Sequence, residues 1–256
     1  MKILKTYQRI TFYMVNEIYN EDCFITMSNM NKIIDVVLTS PPYNMTKRKG
    51  GPSDKGRYDK YIDWKDEQEY LGWSVNLFNN FNKILKRNGV VLYNFSYSIE
   101  NPSLPYKLIS YILQFTDFQV VDTIFWKKPK SMSHPASYNR LNRICEFVFV
   151  LSRKKETKTF KTNKQITKTS TKGQNYYEVI DNFIEAKNND GSNPLNKATY
   201  STELCDKLLS IYAQDGMTVY DPFMGIGTTS LSCKKRGLDW IGSEISKEQI
   251  EYGNTD

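Results

Sequence analysis

Val219-Tyr220-Asp221-Pro222-Phe223-Met224-Gly225-Ile226-Gly227-Thr228-Thr229 reads as a strand, a glycine loop and a helix start. The apolar opening suits a buried strand, and Pro222 stops it. Gly225 and Gly227 let the backbone turn tightly and come close to a ligand. Thr228 or Thr229 is expected to cap the following helix, over Thr228–Arg236. A lone Gly-x-Gly is common in plain turns, so the strand before it and the helix after it carry the meaning. In doubly wound folds, ligands bind in this crevice at the carboxyl ends of the strands. Trp240-Ile241-Gly242-Ser243-Glu244 then places an acid at the end of the next strand. An ionised carboxylate only accepts hydrogen bonds, so Glu244 suits the two hydroxyls of a ribose. A solvated helix-cap acid is its plainer reading. The full Gly-x-Gly-x-x-Gly fingerprint and a Walker lysine are both absent. The expected ligand is therefore adenosine-like without a required pyrophosphate, and S-adenosyl-L-methionine fits that description.

Working upstream, strands and helices alternate. Strands are expected at Asp35–Thr39, Val90–Phe95, Phe118–Trp126, Ile144–Leu151, Thr218–Tyr220 and Trp240–Ile241. Helices are expected at Asp66–Leu85, ended by Asn88-Gly89, and at Leu104–Phe115, Thr202–Tyr212 and Thr228–Arg236. This alternation predicts an α/β fold: a doubly wound, mostly parallel sheet with helices on both faces. The stretch from Arg153 to Asp190 breaks the pattern, being rich in Lys, Thr and Asn. It is read as an insert lying outside the sheet core.

The second informative stretch is Thr39-Ser40-Pro41-Pro42-Tyr43-Asn44, directly after the apolar run Ile33–Leu38. Two prolines stop the strand and remove two backbone donors. A stiff turn remains, with carbonyl acceptors, a hydroxyl and an aromatic ring. A planar base carrying an exocyclic amino group needs such partners. The bland alternative is a Pro-rich turn closing a strand.

Composition agrees with a soluble globular protein that has an anionic partner. The 256 residues are 25% charged and 39% hydrophobic, with a net charge of +7. A basic balance favours nucleic acid among possible partners. No apolar run approaches the ~20 residues of a membrane helix, and the N-terminus lacks a signal-peptide core, so a cytoplasmic protein is expected. The four cysteines (Cys23, Cys145, Cys205, Cys233) are widely spaced and His134 is the one histidine. Neither a zinc site nor a disulfide framework is expected.

Ser-Pro-Pro-Tyr after a strand, with Asp-Pro-Phe-x-Gly-x-Gly-Thr-Thr near the C-terminus, resembles the DNA amino-methyltransferases that modify cytosine N4 or adenine N6. The catalytic motif precedes the cofactor motif, as in the permuted β group. Asn20-Glu21-Asp22-Cys23, Asn82–Gly89, Phe125-Trp126-Lys127-Lys128 and Asn139-Arg140…Cys145-Glu146 also resemble family elements. Asn193-Pro194-Leu195…Ala198-Thr199-Tyr200-Ser201 departs from the usual His-Pro element before the cofactor helix.

The resemblance implies a seven-stranded-type, Rossmann-like methyltransferase sheet in one domain over residues 1–256, with a basic target-recognition region inserted at 153–192. It implies S-adenosyl-L-methionine as cofactor and no metal. Ser40, Pro41, Pro42 and Tyr43 would form the catalytic turn. The Ser40 side chain and Pro41 carbonyl would accept the amino N–H groups, and Tyr43 would stack on a flipped base. Asp22 would accept from the cofactor's adenine and Glu244 from its ribose. Cys23, Ser40, Thr202, Asp221, Pro222, Phe223, Gly225, Gly227, Thr228, Thr229 and Ile245 complete the expected cofactor site. Lys47, Arg48, Lys49, Lys55 and Arg57 in one loop, and Arg153, Lys154, Lys155, Lys158 and Lys161 in the insert, are expected on phosphates. Serine at the head of the motif resembles the cytosine-N4 enzymes; adenine N6 is the alternative, and an inactive DNA-binding relative a third. Double-stranded DNA is the implied partner. A separate cognate endonuclease and a monomeric or weakly dimeric state are further expectations.

Overall fold

A computed structural model of the chain describes residues 14–44, 65–97, 101–129, 138–139, 141–191, 195 and 199–254. In chain order the elements are β1 (Glu17–Tyr19), α1 (Cys23–Ser28), β2 (Ile34–Thr39), α2 (Glu67–Ile84), β3 (Leu85–Phe95), α3 (Leu104–Phe115), β4 (Phe118–Lys127), β5 (Cys145–Arg153), β6 (Ile166–Thr169), β7 (Asn175–Tyr177), β8 (Phe183–Glu185), α4 (Thr202–Tyr212), β9 (Thr218–Asp221), α5 (Thr228–Arg236), β10 (Asp239–Ser243) and α6 (Lys247–Gly253).

Eight of these strands form one sheet in the order β1-β10-β9-β2-β3-β5-β4-β8. Every pairing is parallel except those of β5 with β3 and β4. The expected doubly wound, mostly parallel α/β sheet is what the chain forms. Its strands read as nearly continuous apolar runs because both faces are covered. Along β3, Val91, Tyr93 and Phe95 enter one core with α1, α2 and α3. Val90 and Leu92, pointing the other way, enter a second core with α4 and α5. Alternation of side chains along a strand supplies both cores from one run.

The helix expected to end at Asn88-Gly89 ends at Ile84. Strand pairing resumes at once, with Leu85 opposite Ile34, and the register then jumps to Val90 opposite Val36. Lys86–Gly89 is looped out of the strand. Asn88 stands there at φ 63°, so the Asn-Gly turn is real but lies inside the ladder.

The segment read as lying outside the sheet also needs correction. The β6–β7 hairpin forms its own two-stranded sheet. β8, however, joins the main sheet beside β4. There Ile184 is buried, and the indole of Trp126 donates to the carbonyl of Ala186 (3.0 Å). A three-residue strand with one inward side chain leaves almost no periodic signal.

Candidate active site

β2 and β9 are neighbours, with Val36 opposite Val219 and Val37 opposite Tyr220. The two turns singled out in the sequence therefore leave the sheet side by side at its carboxyl end. One buried hydrogen bond joins them: Thr39 Oγ1 donates to Asp221 Oδ1 (2.9 Å). On the other side of β9 stands β10, whose carboxyl end carries Glu244. β1 lies beyond it, with Tyr19 opposite Ser243, and leads into Asp22.

Glu244 braces the glycine loop. Its carboxylate accepts from the main-chain N–H of Gly225 (2.8 Å) and of Ser246 (2.8 Å) and is nearly buried. Gly225 and Gly227 hold φ of 56° and 92°, where a side chain is strained. Gly227 itself is the N-cap of α5, so neither Thr228 nor Thr229 takes the expected capping role. Thr229 instead donates to Asp221 Oδ2 (2.6 Å). Asp22 caps α1, accepting from Phe24 N (2.8 Å). Asn20 Nδ2 donates to the Glu244 carbonyl (2.9 Å), which fastens the Asp22 turn to the end of β10.

Asp221 is a buried carboxylate with every acceptor site directed inward. Oδ1 takes Thr39 and Phe223 N (3.0 Å), and Oδ2 takes Tyr200 (2.8 Å) and Thr229. Burial pushes its carboxyl above the usual range, while these four hydrogen bonds pull the other way. The expected direct contact of Asp221 with cofactor is thus replaced by a bracing role. Tyr200, not among the expected site residues, is fully committed to this cluster. Burial, with the Asp221 charge second, pushes its hydroxyl well above the ordinary tyrosine value.

Thr202 opens α4; its N–H donates to Asp190 Oδ2 (2.7 Å) and its carbonyl accepts from Ser232 (3.2 Å). Cys23 is buried in α1, and desolvation pushes its thiol up. Ile245 is 40% exposed beside Glu244. Phe223 packs on Trp73 (5.8 Å between centroids), which also meets Phe24 (6.3 Å). Trp73 shares the α2 face of the buried Tyr70 and Leu77 but is itself only partly buried. Main-chain N–H groups, two carboxylates and partly exposed apolar walls suit an adenosine-bearing ligand.

The Ser-Pro-Pro-Tyr turn has its own support. Pro41 and Pro42 are buried, and Tyr70 donates its hydroxyl to the Pro42 carbonyl (2.6 Å). Among the described residues the Pro41 carbonyl accepts no hydrogen bond. The Ser40 and Tyr43 hydroxyls stand 2.9 Å apart. Tyr43 reaches Asn94 Oδ1 (2.8 Å) and Glu146 Oε2 (3.1 Å), while its ring tilts against Phe95 (4.9 Å). Glu146 is ion-paired with Lys128, whose ammonium lies 4.6 Å over the Trp126 ring. Neither Asn94, Glu146 nor Lys128 is in a motif whose chemistry can be read from spacing.

The basic residues divide. Lys47, Arg48, Lys49, Lys55, Arg57 and His134 lie outside the described residues. β5 runs antiparallel, so it begins near the catalytic turn and ends at the opposite end of the sheet, where Arg153 pairs with Phe118. Arg153 donates to the carbonyls of Asn82 (2.9 Å), Leu85 (2.7 Å) and Lys86 (2.9 Å) and pairs with Glu156. Lys154 donates to the carbonyls of Leu113 (2.9 Å) and Thr116 (2.7 Å), closing the end of α3. These two side chains bind their own protein, which corrects their expected place on phosphates. Lys155, Lys158 and Lys161 are exposed but follow from that far end. Lys127, Lys128 and Arg143 sit instead at the end of the sheet that carries the Ser-Pro-Pro-Tyr turn, where Arg143 meets the Tyr97 ring at 5.1 Å.

Comparison with known proteins bears on both motifs. A family model described as DNA methylase of the N6/N4 type matches residues 34–255. The Type II methyltransferase M.BglII of Bacillus subtilis is 21% identical over 93% of this chain and 67% of its own length. The chain spans 56% to 67% of the first three curated relatives it matches. The solved PvuII DNA methyltransferase (cytosine-N4-specific) aligns with a TM-score of 0.71 at 19% identity, covering 93% of this chain and 84% of that one. The M1.HpyAVI–SAM complex aligns with a TM-score of 0.58 at 21% identity, covering 93% and 98%. A family match that runs through both turns, and through the neighbouring strands that bring them together, places this chain in the N6/N4 DNA methylase family.

Proposed function

We propose that this chain transfers a methyl group from S-adenosyl-L-methionine to the exocyclic amino group of a flipped base in double-stranded DNA, cytosine N4 being the favoured target. The observation that carries the reading is the Thr39–Asp221 hydrogen bond, which locks the Ser-Pro-Pro-Tyr turn against the glycine loop. Asp22, Glu244, the Gly225–Gly227 backbone, Phe223 and Ile245 would hold the cofactor. When bound, it supplies an electrophilic methyl group on a sulfonium. The solved M1.HpyAVI–SAM complex supports this choice of cofactor.

The amino nitrogen of a base is a poor nucleophile because its lone pair is delocalised. Two acceptors, Ser40 Oγ and the Pro41 carbonyl, would take its N–H groups and turn the lone pair toward the methyl group. Fixed geometry then supplies much of the rate. The prolines and the Tyr70 bond keep both acceptors in place without reorganisation. Tyr43, backed by Phe95, would present its ring to the base. DNA would lie across the carboxyl end of the sheet, with Lys128 and Arg143 nearer to it than the insert lysines. A serine hydroxyl at the head of the turn supports cytosine N4. The Type II relatives support a restriction–modification role with a separate cognate endonuclease. Among the described residues no helix is long and apolar enough to cross a membrane; we place the activity in the cytoplasm, in a monomer or weak homodimer.

The test is transfer of labelled methyl groups to duplex DNA, followed by digestion and identification of the modified nucleoside. N4-methylcytosine is the expected product; N6-methyladenine alone would reassign the base. Ser40→Ala is expected to abolish transfer and leave cofactor binding intact.

A further inference from the structure

We infer that Glu146 is a positioning residue and the terminal proton acceptor of a hydroxyl chain running from the target amino group through Ser40 and Tyr43. The inference rests on the activity proposed above and assigns a role outside both motifs.

The direction of the chain follows from Asn94. Its Nδ2 donates to the Phe147 carbonyl (3.0 Å) and to Glu146 Oε2 (3.3 Å). The amide is thereby oriented with Oδ1 toward Tyr43. Tyr43 has one proton, and among the described residues the side-chain acceptors it reaches besides Ser40, Asn94 Oδ1 and Glu146 Oε2, are both on the inner side. The Tyr43 oxygen must then accept from Ser40 across their 2.9 Å contact. Ser40 Oγ is left as an acceptor toward the substrate, which is the polarity an amino group requires. Without Asn94 and Glu146 the Ser40 hydroxyl could turn round and present its proton instead.

The same chain provides a proton path. The amino nitrogen forms a bond to the methyl carbon as the carbon–sulfur bond breaks, its electron pair staying on sulfur. The nitrogen then carries one surplus proton. That proton passes to Ser40 Oγ as the serine proton moves to Tyr43 and the tyrosine proton to the Glu146 carboxylate. Charge balances: the sulfonium and the carboxylate are both neutralised. Lys128 pairs with the other oxygen, Glu146 Oε1, leaving Oε2 facing Tyr43. The side chain of Glu146 is 14% exposed, enough to return the proton to solvent between turnovers.

Single-turnover transfer tests this. Glu146→Gln, which keeps the shape, is expected to slow transfer about 10²-fold, in the range of a lost acid–base partner, with cofactor and DNA affinities by calorimetry unchanged. Tyr43→Phe keeps the ring and cuts the chain, so the double variant is expected to be no slower than the slower single one. Glu146→Ala is expected to regain rate with added formate, and wild type is not. A wild-type rate in Glu146→Gln would overturn the assignment. So would multiplying losses in the double variant, or a defect in Glu146→Ala that formate leaves unchanged. A wild-type chain that binds the cofactor and methylates no DNA base would instead refute the parent reading.

Discussion

Two carboxylates at the carboxyl end of the sheet are held in opposite ways. Asp221 is 1% exposed and ringed by neutral donors: two threonines, a tyrosine and a main-chain N–H. Glu146 keeps contact with solvent and has a lysine at hand. A charge satisfied wholly by neutral donors has no easy route for a proton and acts as a brace. A carboxylate that touches both solvent and a hydroxyl chain can pass a proton from one to the other, and the lysine keeps its second oxygen fixed. The brace joins the catalytic turn to the glycine loop; the second carboxylate serves the turn alone.

The sharpest break of this comparison is Asp221→Ala. It would strand four buried donors, each costing about 1–3 kcal/mol. A loss of about 4 kcal/mol or more is expected in urea unfolding, with cofactor affinity lost alongside, whereas Glu146→Gln should leave unfolding nearly unchanged. Equal destabilisation by the two substitutions would erase the distinction.

Next is Gly253→Ala. A Cβ there would stand 2.0 Å from the Ile226 carbonyl oxygen, so α6 or the glycine loop must move. A cost of about 2 kcal/mol is expected, in the range of overpacked sites, together with weaker cofactor binding in calorimetry. Unchanged affinity would show that the loop tolerates displacement.

Tyr70→Phe removes the hydroxyl that holds the Pro42 carbonyl. Its stability cost should be about 1 kcal/mol, while single-turnover transfer should fall further than that figure implies, because the turn that carries the proposed Ser40 and Pro41 acceptors loses its support. Smallest of all, Lys155→Ala, Lys158→Ala and Lys161→Ala together should change DNA affinity and its salt dependence less than Lys128→Ala with Arg143→Ala does. The reverse order would move DNA to the far end of the sheet.

That last test marks where sequence reading stopped. The helices at Leu104–Phe115 and Thr202–Tyr212 follow from apolar spacing and the one at Thr228–Arg236 from the glycine loop before it, and the structure places all three over those residues. Spacing says nothing about strand direction, however. Because β5 runs backward, the basic stretch after it leaves from the wrong end for contact with the catalytic turn. Arg153 and Lys154 look like phosphate ligands in a Lys-rich run, yet they bind Glu156 and main-chain carbonyls at or just beyond the ends of α2 and α3, remote in sequence. Trp73 matched the core period of α2 and faces the cofactor loop from a partly open position. Tyr200 gave no signal, since one tyrosine before a helix cap is unremarkable until four donors are seen on Asp221.

The sequence by itself determined the two turns, because proline, glycine and serine act through their own backbone and hydroxyl chemistry wherever they stand. It also determined the parallel α/β class, because buried strands and amphipathic helices carry their periods locally. Only the tertiary structure decided which charges brace the site and which can exchange protons. Burial and partners remote in the chain set those roles: Thr39 meets Asp221 across 182 positions, and Tyr43 meets Glu146 across 103.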